Sequence, residues 1–167
     1  MKHATDYLEA ANAVVPRITP EQGIEIHKAG GAVFVDVRDS GDIAKTGTIA
    51  GALRIPRGFI EFAADDAHPL HNEAMDKARD IVLVCAAGGM AALTGKTLSE
   101  MGYTKVHNVG GIGDWINAGG ETESLANIRR PGLRLQTTAP FRLLFSALQR
   151  RSLSASRCFP SPPRRLA

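Results

Sequence analysis

The chain has 167 residues, of which 44% are hydrophobic and 22% charged, enough for one globular domain with a buried core. No apolar run approaches the roughly 20 residues of a membrane-spanning helix, and acidic residues stand where a signal peptide needs its apolar segment. Two cysteines are too few for a disulfide framework, so we expect a reducing, cytoplasmic location.

The formal net charge of +3 is divided unevenly along the chain. Residues 1–123 hold all 17 acids and 11 of the 20 Lys and Arg, a formal charge of −6. Residues 124–167 hold the other nine, all arginines, and no acid, a formal charge of +9. The body is therefore mildly acidic, and we expect no nucleic-acid partner.

Apolar periodicity and turn residues predict alternating helices and strands up to residue 120. Helices are predicted at 5–14, 57–64 and 90–101. A further helix is predicted to start at a Thr19–Gln22 capping box and end at Gly30, and a short one that carries Trp115 is predicted after Gly111. Strands are predicted at 33–37, 52–55, 81–84 and 105–109, with an edge strand near Arg17-Ile18. This alternation predicts an α/β fold, a small, mostly parallel five-stranded sheet with helices on both faces. Residues 1–16 would form a helical extension, and residues 17–123 the domain.

Residues 124–167 form an Arg-rich tail of different composition, without lysine or acids. Residues 139–149 place apolar side chains on one helical face beside arginines, which is typical of a membrane-surface or partner-binding helix. The tail is equally consistent with a disordered basic extension or with the product of an altered reading frame, the interpretation that its composition favours. Cys158 in such a segment is interpreted as incidental.

The stretch IVLVCAAGGM, residues 81–90, places Cys85 at the end of a strand that is apolar on both faces and therefore central. In an open α/β sheet, ligands bind beyond the carboxyl ends of the strands. The small residues that follow can direct several backbone N–H groups at one centre, together with the positive end of the next helix, so a thiolate would be stabilised there. Taken alone, this pattern is equally typical of a cysteine buried as a small apolar residue.

Other motifs carry less information. His68 and His71 have a helical spacing, but Pro69 breaks that helix and no ligand cluster accompanies them, so we predict no metal site. Gly95-Lys96-Thr97 lacks the glycine spacing of a phosphate-binding loop.

Four segments together resemble a single-domain rhodanese of the sulfurtransferase family. In order they are VFVDVRDSGDI (33–43), GTIAGALRIPRG (47–58), IVLVCAAGGMAALTGKTLSEMGY (81–103) and KVHNVGGIGDW (105–115). The resemblance implies a ping-pong sulfurtransferase in which Cys85 forms a persulfide, without a metal or organic cofactor. The donor would be thiosulfate or a persulfide, including one on a partner protein, and the acceptor cyanide or a thiol; we expect a monomer.

The same resemblance suggests roles for the surrounding residues. Backbone N–H groups would bind the persulfide and the anionic donor at Ala86, Ala87, Gly88, Gly89 and Met90. Asp36 and Arg38 match an Asp-x-Arg motif and would support the loops near the site. Arg57 would contribute a positive charge from the neighbouring loop.

The cysteine loop departs from the family pattern at Met90, where rhodaneses often carry an arginine that pairs with thiosulfate. Without it, the donor would be less charged, such as a protein persulfide. A non-catalytic or sulfur-carrying interaction module is a further alternative. A phosphatase of the related fold would need arginine at position 91, which is alanine. A thiol redox sensor is a further alternative.

Overall fold

The computed structural model describes residues 1–124. The predictions for the tail from residue 125 onward, including the helix at 139–149 and the role of Cys158, lie outside the described residues. Within the described part, the α-helices are Ala4–Asn12 (α1), Pro20–Ala29 (α2), Ser40–Thr46 (α3), Ile60–Ala64 (α4), Gly89–Glu100 (α5) and Ile112–Asn117 (α6). The strands are Val33–Asp36 (β1), Thr48–Ile49 (β2), Leu53–Arg54 (β3), Ile81–Cys85 (β4), Val106–Gly111 (β5) and Thr122–Glu123 (β6). A short 3-10 helix, Arg57–Phe59, leads into α4.

The main sheet is parallel, with strand order β3-β1-β4-β5. The predicted α/β architecture is confirmed, but the sheet has four strands where five were predicted. The expected edge strand near Arg17 is a single parallel bridge to Asn108, held by Ile18 N–H to Asn108 O (3.0 Å) and Asn108 N–H to Pro16 O (2.9 Å). Pro16 has no N–H to extend the ladder, and Thr19 already caps α2, so the pairing ends there.

Helix α2 begins with the predicted capping box. The Thr19 N–H donates to the Gln22 side chain (2.9 Å), and the Gln22 N–H donates to the Thr19 hydroxyl (3.3 Å). In contrast, α3 and a small antiparallel pair formed by β2 and β6 were not predicted. These elements are too short for apolar periodicity to reveal them.

Strand β4 is central and buried along its whole length. Ile81, Leu83 and Cys85 face one core cluster, while Val82 and Val84 face the other, beside Trp115. The first cluster also contains Val15, which follows α1 and lies tightly against α5: a Cβ built on Gly95 would lie 2.8 Å from both Val15 methyl carbons. The segment before residue 17 therefore belongs to the packing on the Cys85 face of the sheet.

Candidate active site

Cys85 is the last residue of β4, and its side chain lies at the carboxyl end of the central strand. The residue is 1% exposed. Its Sγ atom accepts a hydrogen bond of 3.0 Å from the backbone N–H of Gly88. The loop thus folds back on the sulfur, and a backbone donor, which bears no formal charge, is aimed at the thiol.

Gly88 is the residue that permits this loop geometry. It has a φ of +93° and is the N-cap of α5, so the chain turns from the strand into the helix at this point. L-residues with a side chain are strained in this region of φ. The first N–H groups of α5 have no partner inside the helix, and the positive end of the helix dipole lies at the loop. Ala86 and Ala87 are exposed, which leaves backbone rather than bulky side chains around the sulfur.

The carboxyl-terminal half of β5 packs directly against the cysteine loop. Asn108 is buried and donates from Nδ2 to Gly88 O (3.0 Å), while its Oδ1 accepts from the Gly110 N–H (2.9 Å). A Cβ on Gly111 would lie 2.6 Å from Ala86 O, so only glycine fits at that position. These contacts fix the loop to the neighbouring strand.

The buried pair of Asp36 and Arg38 lies next to this sheet edge. The Arg38 Nη2 atom is 2.6 Å from Asp36 Oδ2, and the residues are 2% and 0% exposed. Arg38 also donates to Thr46 Oγ1 (2.8 Å) and Gly47 O (2.7 Å), and the Thr48 hydroxyl donates to Asp36 (2.8 Å). The pair therefore fastens the segment between α3 and β2, and its support of the loops beside Cys85 stays a prediction.

Arg57 begins the 3-10 helix before α4, and its side chain contacts α5. Its guanidinium donates to Glu61 Oε1 (2.8 Å) and to Thr97 Oγ1 (3.1 Å), two turns into α5. Burial alone would raise the pKa of Glu61, but the hydrogen bond and charge of Arg57, with a backbone hydrogen bond, leave that pKa below its usual value.

Arg57 lines a cleft of about 380 Å³. The other lining residues are Ala4, Tyr7, Leu8, Leu93, Lys96 and Thr97. No hydrogen bond joins Arg57 to residues 85–90 within the described part of the chain.

The loop itself carries no cationic side chain. Met90 is 38% exposed, and Ala91 is fully buried in the first turn of α5.

Among residues 1–124, no group of three or more His, Cys, Asp or Glu side chains is placed to hold a metal ion. In the same range, no helix is both long and apolar enough to cross a membrane.

Comparison with known families agrees with this geometry. The model of the rhodanese-like domain family matches residues 19–118. The chain belongs to this family. A sulfurtransferase of Allochromatium vinosum is 32% identical over 88 residues, which cover 52% of this chain and 74% of that protein.

Solved structures extend the comparison. A protein of unknown function and possible tyrosine phosphatase from Rhodopseudomonas palustris is 34% identical, with a TM-score of 0.70 over 74% of this chain and 96% of that one. The polysulfide-sulfur transferase homodimer of Wolinella succinogenes is 23% identical, with a TM-score of 0.59 over 76% of this chain and 91% of that one. At 23% identity, the second likeness concerns the rhodanese-like fold alone.

Sequence reasoning overlooked two residues that this rhodanese-like site brings to the cysteine loop, Asn108 and Arg17. Asn108 stands two residues before Gly110, and an asparagine there is a weak signal of a side chain that bonds the backbone two residues on. Arg17 had no local signal, because only the pairing of its segment with β5 brings it to the loop.

Proposed function

We propose that this rhodanese-like chain is a sulfurtransferase that carries sulfane sulfur as a persulfide on Cys85. One observation carries the proposal: the Gly88 N–H lies 3.0 Å from the Cys85 Sγ at the N-terminal end of α5. A backbone donor and a helix N-terminus stabilise negative charge on sulfur. A cysteine that served only as a small core residue would need neither.

The reaction consists of two displacements at sulfur. In the first, the Cys85 thiolate attacks the sulfane sulfur of the donor, a new S–S bond forms, and the S–S bond of the donor breaks. The leaving group, sulfite when thiosulfate is the donor, departs with the bonding electron pair. In the second, an acceptor thiolate or cyanide attacks the outer sulfur, and Cys85 returns as a thiolate. Electrons balance in both steps without a redox cofactor.

Burial of Cys85 suits a carrier of this kind. The thiol is 1% exposed, so bulky reagents have little access to it. A persulfide would add its outer sulfur about 2 Å beyond the Sγ, and the neighbouring Ala86 and Ala87 are exposed. The reactive atom is then presented to an acceptor while its attachment point stays shielded.

The position of Ala91 argues against phosphoryl transfer, the chemistry suggested for the R. palustris protein. A cysteine phosphatase needs an arginine there to clamp the phosphoryl oxygens. Ala91 is buried and has no polar side-chain atom to offer. Sulfur transfer requires no such clamp, because the persulfide is held by backbone donors.

Sulfur transfer to cyanide tests the proposal. The full chain with Cys158→Ser is compared with the double variant that also carries Cys85→Ser, using thiosulfate and an organic persulfide as donors. We expect turnover and a mass gain of one sulfur atom only when Cys85 is present. A persulfide without turnover would indicate a carrier module, and sulfenic acid in place of persulfide would indicate a redox sensor. The absence of both turnover and persulfide would refute the proposal.

A further inference from the structure

The guanidinium group of Arg17 lies against the two glycines that shape the cysteine site. A Cβ built on Gly88 would lie 3.7 Å from both Cζ and Nη1 of Arg17. A Cβ built on Gly110 would lie 3.0 Å from Arg17 Nη2. Both glycines are buried and have positive φ, so the cation occupies space that side chains at these positions would fill.

This contact brings a full positive charge near the sulfur. Adding backbone bond lengths to these contacts and to the Gly88 hydrogen bond puts the Arg17 Cζ within about 10 Å of the Cys85 Sγ. That separation is about one Debye length at 0.1 M salt, so the charge still acts on an anion at the loop.

The backbone of Arg17 is fixed relative to the loop. Its neighbours Pro16 and Ile18 both hydrogen-bond to the main chain of Asn108. The side chain of Asn108 in turn binds Gly88 O and the Gly110 N–H. One residue therefore holds both the cysteine loop and the segment that bears the cation.

Arg17 also differs from the other cations near α5. Arg57 is paired with Glu61, and Lys96 with Glu100. Within residues 1–124, Arg17 forms no ion pair with a carboxylate, and it is exposed to solvent. Its charge is consequently not neutralised within the described part of the chain.

We infer that Arg17 determines donor specificity: it supplies the positive charge that Met90 does not, and it favours a small anionic donor over an uncharged one. The inference rests on the proposed function for its biological meaning. The charge of Arg17 should attract any anion that approaches Cys85, so this effect can be tested without sulfur transfer.

The test compares alkylation of Cys85 by iodoacetate, an anion, with alkylation by iodoacetamide, its neutral analogue. Both reagents react with the same thiolate, so the ratio of their second-order rate constants reports only on the charge that meets the reagent. The full chain with Cys158→Ser is the parent, and Arg17→Gln and Arg17→Lys are introduced into it. Arg79→Gln is the matched control, because Arg79 is exposed and precedes the amino end of β4, the end opposite Cys85.

We expect Arg17→Gln to lower the iodoacetate-to-iodoacetamide ratio about three- to tenfold at low ionic strength, with a smaller effect at high salt. Arg17→Lys should retain most of the parent ratio, and Arg79→Gln all of it. An unchanged ratio in Arg17→Gln would overturn the inference, as would a parent that neither reagent alkylates. A lowered ratio in a protein that shows no sulfur transfer would leave the inference standing and remove the proposed function.

Discussion

The Gly88 N–H donates to the Cys85 Sγ at 3.0 Å, and it can do so because Gly88 has a φ of +93°. The same residue is close to the end of β5, since a Cβ at Gly88 would lie 3.2 Å from Gly110 Cα. Conformation and contact at this one position thus set where the backbone donor points.

Replacing Gly88 with alanine should therefore harm both stability and sulfur transfer. The left-handed conformation costs an L-residue about 1–2 kcal/mol, and the close approach to Gly110 pushes the loop away from β5. We expect the rate of persulfide formation to fall at least about tenfold, because a charge-stabilising backbone donor is displaced. Urea unfolding and single-turnover mass spectrometry measure the two effects.

Gly102→Ala provides a matched control for this variant. Gly102 has a φ of +94° but no atom within 4 Å of a built Cβ, and it lies just beyond the other end of α5. The alanine there should cost the same conformational strain, about 1–2 kcal/mol, without a close contact, and leave persulfide formation unchanged. Equal loss of rate in both variants would mean that strain alone, and not the position of the Gly88 N–H, limits the reaction.

Asn108→Asp should loosen the cysteine loop with almost no change in side-chain shape. The substitution replaces the Nδ2 donor with a carboxylate oxygen, which would face Gly88 O at 3.0 Å in a buried position. We expect a loss of about 2 kcal/mol or more in the free energy of unfolding, together with slower alkylation of Cys85. Chemical denaturation and iodoacetamide kinetics measure these effects.

Asn72→Asp is the isosteric comparison for that substitution. The Oδ1 atom of Asn72 accepts from the Ala74 N–H, and its Nδ2 makes no hydrogen bond within residues 1–124. The aspartate keeps the acceptor, so we expect a cost of less than about 1 kcal/mol and normal alkylation. If Asn108→Asp proved as mild as Asn72→Asp, the amide would not be holding the loop.

The parts of this fold that sequence predicts are those that local patterns encode. Strand β4 was predicted as central from four consecutive apolar residues, and the start of α2 from Thr19 and Gln22, and both predictions are confirmed. The position of the cysteine loop was likewise predicted, because a strand, a run of small residues and a helix follow one another in the sequence. Each of these features depends on residues that are adjacent in the chain.

The remaining features depend on contacts between distant segments. The predicted fifth strand is reduced to one bridge because Pro16 limits its pairing, and the short strands β2 and β6 carry too few residues for a pattern. Arg17 and Asn108 reach the cysteine loop only after β5 has paired with its neighbours. No local signal in the sequence reports such a juxtaposition.

Asp36→Asn should destabilise the protein strongly without altering the reaction of the folded molecules. The change leaves the Arg38 charge buried without its carboxylate, a situation that typically costs about 3–5 kcal/mol. The hydrogen bonds of the pair go to residues 46–48 and not to the cysteine loop, so persulfide formation per folded molecule should be retained. Trp115, the single tryptophan of the chain, is buried and reports unfolding by fluorescence.

Asp42→Asn is the corresponding change in an exposed pair. Lys45 and Asp42 lie 3.1 Å apart, with side chains 74% and 55% exposed. Pairs of this kind contribute about 0.2–1 kcal/mol, so the variant should unfold at nearly the same urea concentration as the parent. Similar unfolding midpoints for the two variants would contradict a structural role for the buried pair.

Tyr103→Phe should change how stability depends on pH. The Tyr103 hydroxyl donates to the backbone carbonyls Ala64 O (2.9 Å) and Met75 O (3.0 Å). Burial, with smaller contributions from the charges of nearby aspartates, raises its pKa from 10.0 to about 12. Between these values the unfolded chain has lost the phenol proton and the folded chain has kept it, so rising pH favours unfolding.

The stabilisation from Tyr103 is therefore fully present below pH 10 and is lost as pH rises to about 12. At neutral pH we expect Tyr103→Phe to cost about 1–2 kcal/mol, because two buried carbonyls lose their donor. The difference from the parent should narrow above pH 10, as measured by urea unfolding across the pH range. Tyr7→Phe, at a residue 53% exposed, should stay within about 0.5 kcal/mol of the parent throughout. A constant difference between Tyr103→Phe and the parent would show that the phenol proton is not retained on folding.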